Sequence, residues 1–294
     1  MNKATQKREL LRQGLTGDKP ITAVGAHDAM SAQMIDTDGF EAVWVSGFGV
    51  STMAYAVPDA NLVTMTEALD AAVRMDAAIT IPVVADCDNG FGGLANVVRT
   101  VRAYERAGIA GICIEDNHFP KRNSLYLGNS KRELIPLEEQ ARRIRAGKDA
   151  QESDEFVFIA RVESLIAGHG VADALRRADA YVRAGADAIL IHSKDKTLGE
   201  IEGFLAEWQG GAPLVCVPTL FPDFTVQELH EKGFQMIILA NQLMRASVKA
   251  MEETLATLKR ERKAAAVDGS IAPVNYIFDL VKTRELIALE DEIK

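Results

Sequence analysis

Residues 112–124 read ICIEDNHFPKRNS, an apolar run that ends at Glu115 and passes into a polar loop around Pro120. A short apolar run without polar alternation is typical of a strand buried on both faces. Many loops are polar simply because they meet water, so the stretch alone leaves an ordinary strand-to-helix connection open. The fold is decided by the recurrence of this pattern along the whole chain.

Eight such apolar runs alternate with amphipathic helical patterns such as 95–107, 171–184 and 201–208. An open, doubly wound sheet would need a glycine-rich phosphate-binding turn after its first strand, and GAHDA at 25–29 does not supply one. We therefore predict an α/β fold of the (β/α)₈ TIM-type barrel class. The predicted strands are 21–25, 42–47, 83–88, 111–115, 157–161, 188–193, 214–219 and 236–241.

Composition narrows the class of partner. The 294 residues carry 33 Lys and Arg against 42 Asp and Glu, and this formal charge of −9 argues against nucleic acid or an anionic membrane as the partner.

Cys87, Cys113 and Cys216 lie far apart without a C-x-x-C pair, as expected of reduced core thiols. The N-terminal pattern has no apolar signal region, and the run 77–85 is too short to span a bilayer. We expect a cytoplasmic protein with a small-molecule substrate.

The last part of the chain continues beyond the eighth strand. A long helix is predicted over 243–263 and an apolar helix over 274–293. We expect one barrel domain over 1–294, with the helices of 243–294 covering a subunit interface of a homo-oligomer.

Residues at the carboxyl ends of barrel strands converge on one face. Three carboxylates, Asp86, Asp88 and Glu115, favour Mg²⁺, with Mn²⁺ as an alternative, because oxygen-only ligands suit hard cations. The alternative is structural, with both aspartates capping the next helix and Glu115 paired with Arg161. The strand-end residues are Ser46, Gly47, Asp86, Asp88, Glu115, Arg161, His192, Thr219 and Asn241.

The same face offers groups that bind anions. Arg161 and His192 are predicted as two cationic donors, and Lys121 and Asn123 lie in the polar loop. Together with a metal ion, this set suits a substrate that carries both a phosphoryl group and a carboxylate. A barrel that has lost catalysis would show gaps among these residues, and none is missing.

These residues stand in motifs that resemble the phosphoenolpyruvate mutase and isocitrate lyase superfamily, and within it the phosphoenolpyruvate mutase and phosphonopyruvate hydrolase branch. The family fold is a (β/α)₈ barrel whose C-terminal helix is exchanged between subunits, usually in tetramers, so the resemblance implies a homotetramer. The motifs are GAHD at 25–28, VWVSGF at 43–48, YAVPDAN at 55–61, DCDNGFG at 86–92, EDNHFPKRNS at 115–124, IARVE at 159–163 and IHSK at 191–194.

The resemblance also implies a role for each matching residue. Asp86 resembles the direct magnesium ligand, whereas Asp88 and Glu115 resemble ligands that act through water. Substrate binding is implied for Trp44, Ser46, Gly47 and Ser124, with the backbone around Ser46 and Gly47 holding the carboxylate. The implied catalytic residues are Arg161, His192 and Asn123 at the phosphoryl group, Asp59 beside the phosphorus, and Lys121 on a loop that closes over it.

The implied reaction is the isomerisation of phosphoenolpyruvate to phosphonopyruvate, the step that forms the carbon–phosphorus bond in phosphonate biosynthesis. It proceeds through a metaphosphate-like species and a magnesium-stabilised pyruvate enolate. Asn123 matches the mutase pattern Lys-x-Asn-Ser, whereas the hydrolase resembles Lys-x-Thr-Ser. The stretch 55–61 and the run into VPT at 217–219 look at least as much like the hydrolase. The loop lacks the cysteine of the isocitrate and methylisocitrate lyases, which disfavours a carbon–carbon lyase.

Two positions depart from the mutase pattern. Asn117 replaces the lysine of Glu-Asp-Lys, and Asn89 replaces the threonine of Asp-Thr-Gly. Losing a cation beside metal-binding carboxylates alters the local charge, so a related phosphonate or another 2-oxo acid stays open as the substrate.

Overall fold

The computed structural model describes residues 2–126 and 132–293, and in it eight parallel strands close into a barrel. The strands follow one another around the barrel in sequence order, and β1 pairs with β8. This confirms the predicted fold class. The strands are β1 Ile21–Ala26, β2 Ala42–Val45, β3 Val83–Asp86, β4 Gly111–Glu115, β5 Val157–Val162, β6 Ala188–Ile191, β7 Leu214–Cys216 and β8 Phe234–Leu239.

Several strands end earlier than the apolar pattern predicted. β2 ends before Ser46, and β3 ends before Asp88, because the backbone there already turns toward the next helix. Polar residues after these strands therefore lie in loops at the carboxyl end of the barrel. The helices are α1 Lys3–Thr16, α2 Ala29–Thr37, α3 Gly47–Tyr55, α4 Met65–Ala78, α5 Leu94–Arg106, α6 Leu137–Ala150, α7 Ser164–Ala167, α8 Val171–Arg183, α9 Gly199–Glu207, α10 Val226–Glu231, α11 Gln242–Glu261, α12 Val274–Leu280 and α13 Thr283–Ile293.

Two apolar layers explain why the strands read as continuous apolar runs. Alternate residues of β4 belong to different layers: Cys113 lies in the barrel interior, whereas Ile112 and Ile114 pack in the layer that contains the helices. Leu11 and Leu15 of α1 belong to the interior layer. Successive side chains of a strand point to opposite sides, so the residues that follow in β4 continue this alternation.

The barrel closes where β1 meets the end of β8. A Cβ atom on Gly25 would lie 2.0 Å from the carbonyl oxygen of Ala240, closer than any side chain permits. Glycine is therefore required at Gly25 by close backbone approach rather than by its conformational freedom.

The chain divides into two compact units, Met1–Met244 and Arg245–Lys294. The barrel lies in the first unit. In the second, the single helix predicted over 274–293 is wrong, because α12 ends at Leu280 and α13 starts at Thr283. Lys282 between them has φ of 56°, which cannot continue a right-handed helix. No helix within the described part of the chain is long and apolar enough to cross a membrane.

Candidate active site

A cavity of about 60 Å³ lies at the carboxyl end of the barrel. A space of this size holds only a few water molecules, so the side chains around it stand close together. Most of the predicted site residues line the cavity, and Gly47 and Asp88 lie directly beside it. The predicted residues in its wall are Trp44, Ser46, Asp59, Asp86, Glu115, Lys121, Asn123, Ser124, Arg161, His192, Thr219 and Asn241.

The start of α3 forms one wall of this region. Ser46 caps the helix by accepting a hydrogen bond at Oγ from the Gly49 N–H, at 3.1 Å. Gly47 is the first helical residue, and the first amides of a helix have no partner within it. The positive end of the helix dipole therefore lies beside the cavity, where it favours an anion such as a carboxylate.

Asp86 and Asp88 converge beside Gly47. A Cβ atom at Gly47 would lie 3.2 Å from Asp86 Oδ2 and 3.4 Å from Asp88 Oδ1, so the missing side chain leaves room between the helix start and both carboxylates. Asp88 has φ of 51°, a conformation that aspartate tolerates better than most residues. This backbone turn brings the two carboxylates to the same side of the loop after β3.

The predicted helix-capping role of these aspartates does not occur. Helix α5 begins at Leu94 with Gly93 as its N-cap, and Asn96 Oδ1 accepts the Gly93 N–H at 3.2 Å. Because the cap is made locally, Asp86 and Asp88 are left at the cavity.

Burial raises the pKa of Asp88 and of Glu115. Desolvation raises the pKa of Asp88 to about 6, although Lys121 acts in the opposite direction. Desolvation also raises the pKa of Glu115 to about 8 despite the nearby Arg161. Such carboxylates are poorly compensated by their present neighbours and would gain from an added cation.

The donor chemistry of this group fits a hard divalent cation, since Asp86, Asp88 and Glu115 offer only oxygen ligands and Gly47 leaves space beside two of them. Across residues 2–126 and 132–293, no three His, Cys, Asp or Glu side chains are grouped closely enough to form a preassembled metal site. The ammonium of Lys121 and the guanidinium of Arg161 lie against these carboxylates instead.

Lys121 is buried between two carboxylates. Its Nζ lies 2.8 Å from Asp59 Oδ1 and makes a second ion pair with Asp88 Oδ1. Burial alone lowers the pKa of an ammonium, but Asp88 and Asp59 outweigh it and raise the pKa of Lys121 well above its ordinary value. Lys121 is therefore a permanent cation at the cavity wall.

Asn123 is held in a single orientation. Its Oδ1 accepts the Leu125 N–H at 3.0 Å, and its Nδ2 donates to Asp59 Oδ2 at 2.7 Å. The carbonyl side of the amide is thus fixed by the backbone, which leaves the NH₂ group on the side of Asp59 and the cavity.

Arg161 connects β5 to the loop after β4. Its Nε lies 2.6 Å from Glu163 Oε1 and 3.4 Å from Glu115 Oε2, and its Nη2 donates to Ser124 Oγ at 2.6 Å. The predicted ion pair with Glu115 is present, but Glu163 is the nearer partner. A guanidinium shared among three groups is held rigidly at the cavity wall.

The prediction that His192 is a cationic donor is wrong. Burial, followed by the positive charge of Arg161, lowers the pKa of His192 to about 3, so the imidazole is neutral at physiological pH. Its Nδ1 is buried and has no hydrogen-bond partner among the described residues. A neutral imidazole with an unused nitrogen in the cavity wall can still donate or accept one hydrogen bond.

Three residues of the site were missed by the sequence reasoning. Glu163 is fully buried and accepts hydrogen bonds from Ser124 at 3.0 Å and from Arg132 at 3.3 Å. Arg132 also donates to the backbone oxygen of Asn123. Asn61 donates to Asp88 Oδ2 at 2.8 Å. A charged residue directly after a buried strand could have revealed Glu163, whereas no pattern marks Arg132 or Asn61.

The chain is similar to known proteins over nearly its whole length. Residues 11–259 match a family model described as phosphoenolpyruvate phosphomutase. The chain is 40% identical over 287 residues to phosphonopyruvate hydrolase of Variovorax sp. (strain Pal2), which covers 97% of this chain and 98% of that protein.

Two solved structures have the same fold. The crystal structure of phosphoenolpyruvate phosphomutase from Streptomyces platensis subsp. rosaceus superimposes with a TM-score of 0.94 at 40% identity, covering 97% of this chain and 98% of the other. The crystal structure of phosphonopyruvate hydrolase in complex with oxalate and Mg²⁺ gives a TM-score of 0.91 at 39% identity, again covering 97% and 98%.

Proposed function

The chain belongs to the phosphoenolpyruvate phosphomutase family, in the branch that holds the mutase and phosphonopyruvate hydrolase, and from this premise we propose that it interconverts phosphoenolpyruvate and phosphonopyruvate. In the direction of phosphonopyruvate cleavage, the carbon–phosphorus bond breaks and its electron pair stays on the pyruvate enolate. The enolate oxygen then bonds to the phosphorus, which gives phosphoenolpyruvate without any gain or loss of atoms.

A loose phosphoryl transition state is stabilised mainly by position and charge. In this proposal Lys121 and Arg161 neutralise the transferring group, and the neutral His192 donates a hydrogen bond to it. The carboxylate of the substrate lies at the start of α3, where Gly47 begins the helix. Ser124, Ser46 and Trp44 complete the wall that fixes the substrate.

A divalent cation completes the proposed site. Asp86, Asp88 and Glu115 would hold Mg²⁺, which would supply positive charge that stabilises the pyruvate enolate. The relative with bound oxalate and Mg²⁺ supports this assignment. The protein's own contribution is to place Asp86 and Asp88 beside a space that Gly47 leaves open, with Glu115 in the same cavity wall.

The observation that favours the mutase is the orientation of Asn123. Its NH₂ group is turned toward Asp59 and the cavity because Leu125 N–H holds the other side of the amide. An amide has two N–H groups, so one is available for a phosphoryl oxygen while the other stays on Asp59. The phosphoryl group is then held by a donor where a hydrolase would need room for a water molecule.

Phosphonopyruvate hydrolase is the second candidate, because the chain is 40% identical to such an enzyme and its stretch 55–61 resembles that enzyme's pattern. In that reaction a water oxygen bonds to the phosphorus as the carbon–phosphorus bond breaks. The products are inorganic phosphate and pyruvate, whose methyl carbon takes up a proton.

Phosphorus-31 NMR of the protein with Mg²⁺ and phosphonopyruvate separates the two candidates, because all three phosphorus species have distinct resonances. We expect phosphoenolpyruvate as the first product. The variant Asn123→Thr should divert phosphorus to inorganic phosphate, and Arg122→Met, one residue earlier on an exposed side chain, should not. Inorganic phosphate as the first product of the unmodified protein would establish the hydrolase instead. No change in any resonance would point to another phosphonate or 2-oxo acid, as Asn89 and Asn117 suggest.

We further propose a cytoplasmic homotetramer that uses the helices of residues 243–294. Apolar side chains of α12 and α13, among them Val274, Phe278 and Leu286, are exposed in the described chain. Multi-angle light scattering should give four times the chain mass of 32.0 kDa. A monomeric mass would remove the proposed interface.

A further inference from the structure

Three asparagines, of which Asn89 and Asn117 are buried and Asn61 is half-buried, form a chain of amides between the carboxylates of the site. Asn61 Nδ2 donates to Asp88 Oδ2 at 2.8 Å, and Asn117 Nδ2 donates to Glu115 Oε1 at 2.8 Å. Asn89 lies between them, and its Nδ2 donates to Asn61 Oδ1 at 3.4 Å and to Asn117 Oδ1 at 3.5 Å. The three residues come from separate loops, so this contact joins parts of the chain that are far apart in sequence.

Asn89 is the donor in the two central hydrogen bonds of this chain of amides. Its NH₂ group has two hydrogens and gives one to each neighbouring amide oxygen. Both flanking amides turn their oxygens toward Asn89 and their NH₂ groups outward, toward Asp88 and Glu115. The oxygen of Asn89 is buried and has no partner among the described residues. Asn89 is thus held entirely by its donor side.

In this arrangement the two oxygens of each carboxylate have different kinds of partner. Asp88 Oδ2 accepts a hydrogen bond from Asn61, and Asp88 Oδ1 pairs with Lys121. Glu115 Oε1 accepts a hydrogen bond from Asn117, and Glu115 Oε2 pairs with Arg161. One oxygen of each carboxylate is fixed by a neutral amide, and the other faces a cation of the cavity. Rotation of either carboxylate would break its amide hydrogen bond.

The chain of three amides also contacts the polar loop after β4. Asn61 Oδ1 accepts the backbone N–H of Lys121 at 2.5 Å, in addition to the hydrogen bond from Asn89. Lys121 is therefore placed by the same amide that orients Asp88. Asn61 has φ of 57°, a left-handed conformation that asparagine adopts more readily than most residues.

We propose that Asn89 is a positioning residue: as the only double donor of the Asn61–Asn89–Asn117 chain, it aims Asp88 and Glu115 at the divalent cation and aligns Lys121 with them. The inference rests on the proposed function for the role of the two carboxylates. Asn89 and Asn117 are the two departures from the mutase pattern, and their side chains contact each other. In this proposal both serve to orient the carboxylates.

The test replaces the NH₂ donor of Asn89 without changing the size of its side chain. Asn89→Asp keeps the size of the side chain but has at most one O–H donor, whether ionised or protonated, so it cannot serve both neighbours. The flanking amides would then turn to donate to it and leave Asp88 or Glu115. Residues that orient metal-holding groups typically change metal affinity 10- to 100-fold, and we expect a loss of about that size.

The readout is binding rather than turnover. Calorimetric titration of Mg²⁺ in the presence of oxalate, with the Mg²⁺-dependent rise in melting temperature as a second measurement, gives the affinity of each folded variant. Asn89→Asp should bind about 10- to 100-fold more weakly than the unmodified protein, and Asn89→Ala should lose less, because alanine does not attract the flanking NH₂ groups. Asn96→Asp adds the same charge at an exposed helix start and should bind normally.

Two outcomes would overturn the proposal. If Asn89→Ala binds more weakly than Asn89→Asp, Asn89 acts by filling space, since only alanine leaves a cavity. If both bind like the unmodified protein, the amide chain does not position the carboxylates. If the Asn89 variants do not fold, Asn117→Ala serves instead, because it removes the amide that holds Glu115. Unchanged Mg²⁺ affinity of Asn117→Ala would also show that the amide chain does not position the carboxylates. Normal oxalate binding without conversion of phosphonopyruvate would contradict the proposed reaction and leave this inference intact.

Discussion

Glu115 and Asp116 are adjacent acids at the end of β4, yet they lie in opposite environments. Glu115 belongs to a group around the cavity, here called the cavity cluster: Asp59, Asp86, Asp88, Glu115, Lys121 and Arg161. Asp116 belongs to a second group on the outer side of the strand, here called the anchor cluster: Asp116, Asp173, Arg177 and Tyr181.

In the anchor cluster every contact serves the fold. Asp116 accepts hydrogen bonds from the Glu163 N–H at 2.9 Å, from Arg177 at 3.1 Å and from the Tyr181 hydroxyl at 2.7 Å. Arg177 also donates to the backbone oxygen of Ile135 at 2.9 Å. These contacts tie β4, the start of α6, the end of β5 and α8 together. Asp116 thereby fixes the strand that carries Glu115.

The cavity cluster is built differently, because three of its carboxylates and both of its cations line a cavity, whereas the groups of the anchor cluster face one another. Burial raises the pKa of Asp88 to about 6 and that of Glu115 to about 8, and it raises the pKa of Asp116 as well, so a raised pKa is common to both clusters. Burial of charge alone therefore does not mark a functional site. The two clusters differ in what their charged groups face. In the anchor cluster these groups bind one another, whereas in the cavity cluster they also face a cavity that a ligand can enter.

The largest expected effect lies in the anchor cluster. Arg177→Met leaves Asp116 buried without its cation, and breaking a buried pair from one side costs about 3–5 kcal/mol of unfolding free energy. Urea denaturation measures this loss. Arg176→Met is the matched control, because Arg176 is a neighbour on the same helix whose exposed ion pair with Asp173 should contribute at most about 1 kcal/mol. Equal losses in both variants would contradict the anchoring role.

The next effect lies in the cavity cluster and should appear in activity. Lys121→Met removes a permanent cation from the wall, and loss of one preorganised electrostatic contact typically lowers kcat by about 10²- to 10³-fold. Initial rates of phosphonopyruvate conversion measure it. Arg122→Met changes the next side chain, which is exposed, and should stay close to the unmodified rate. A Lys121→Met protein with more than a tenth of the normal kcat would remove Lys121 from the proposed mechanism.

A smaller effect distinguishes His192 by its pH dependence. Its folded-state pKa is lowered to about 3 by burial and by Arg161, with Arg132 and Lys194 acting in the same direction and Glu163 against it. Between its ordinary pKa of about 6.5 and pH 3 the unfolded chain binds the proton and the folded chain does not, so stability is lost as the pH falls. From pH 8 to pH 5 this costs about 2 kcal/mol.

The variant His192→Asn isolates that contribution. Its unfolding free energy should fall less than that of the unmodified protein between pH 8 and pH 5, by about 2 kcal/mol. The difference between the two proteins cancels the opposite contributions of Asp88 and Glu115. His118→Gln replaces an exposed histidine and should keep the original pH dependence. Identical curves for His192→Asn and the unmodified protein would show that His192 is not buried in its neutral form.

Most of the fold was predictable because buried parallel strands leave continuous apolar runs. The eight runs gave the barrel, and the early ends of β2 and β3 follow from the turn that the backbone makes before Ser46 and Asp88. The break between α12 and α13 was not predictable, because no glycine or proline marks Lys282. Apolar spacing continues through that break and conceals it.

The site was predictable only where a strand end fixes the position of a residue. Asp86, Glu115, Arg161 and His192 all meet in the cavity wall as the barrel geometry requires. The roles assigned to them stay predictions that the variants above test. Asn61, Asn89 and Asn117 meet through loop geometry, and the neutral state of His192 depends on how completely the loops exclude water. Neither property has a periodic signature in the sequence.

The opposite directions of Glu115, the last residue of β4, and Asp116, directly after it, limit how this protein can evolve. Glu115 faces Arg161 in the barrel, and Asp116 faces Arg177 on α8. Because successive residues of a strand alternate sides, inserting or deleting one residue in β4 would exchange the surroundings of the two acids. Descendants of this chain can therefore acquire new chemistry through replacement of side chains at the strand end, or through loops of a new length after it. The strand itself must keep its length.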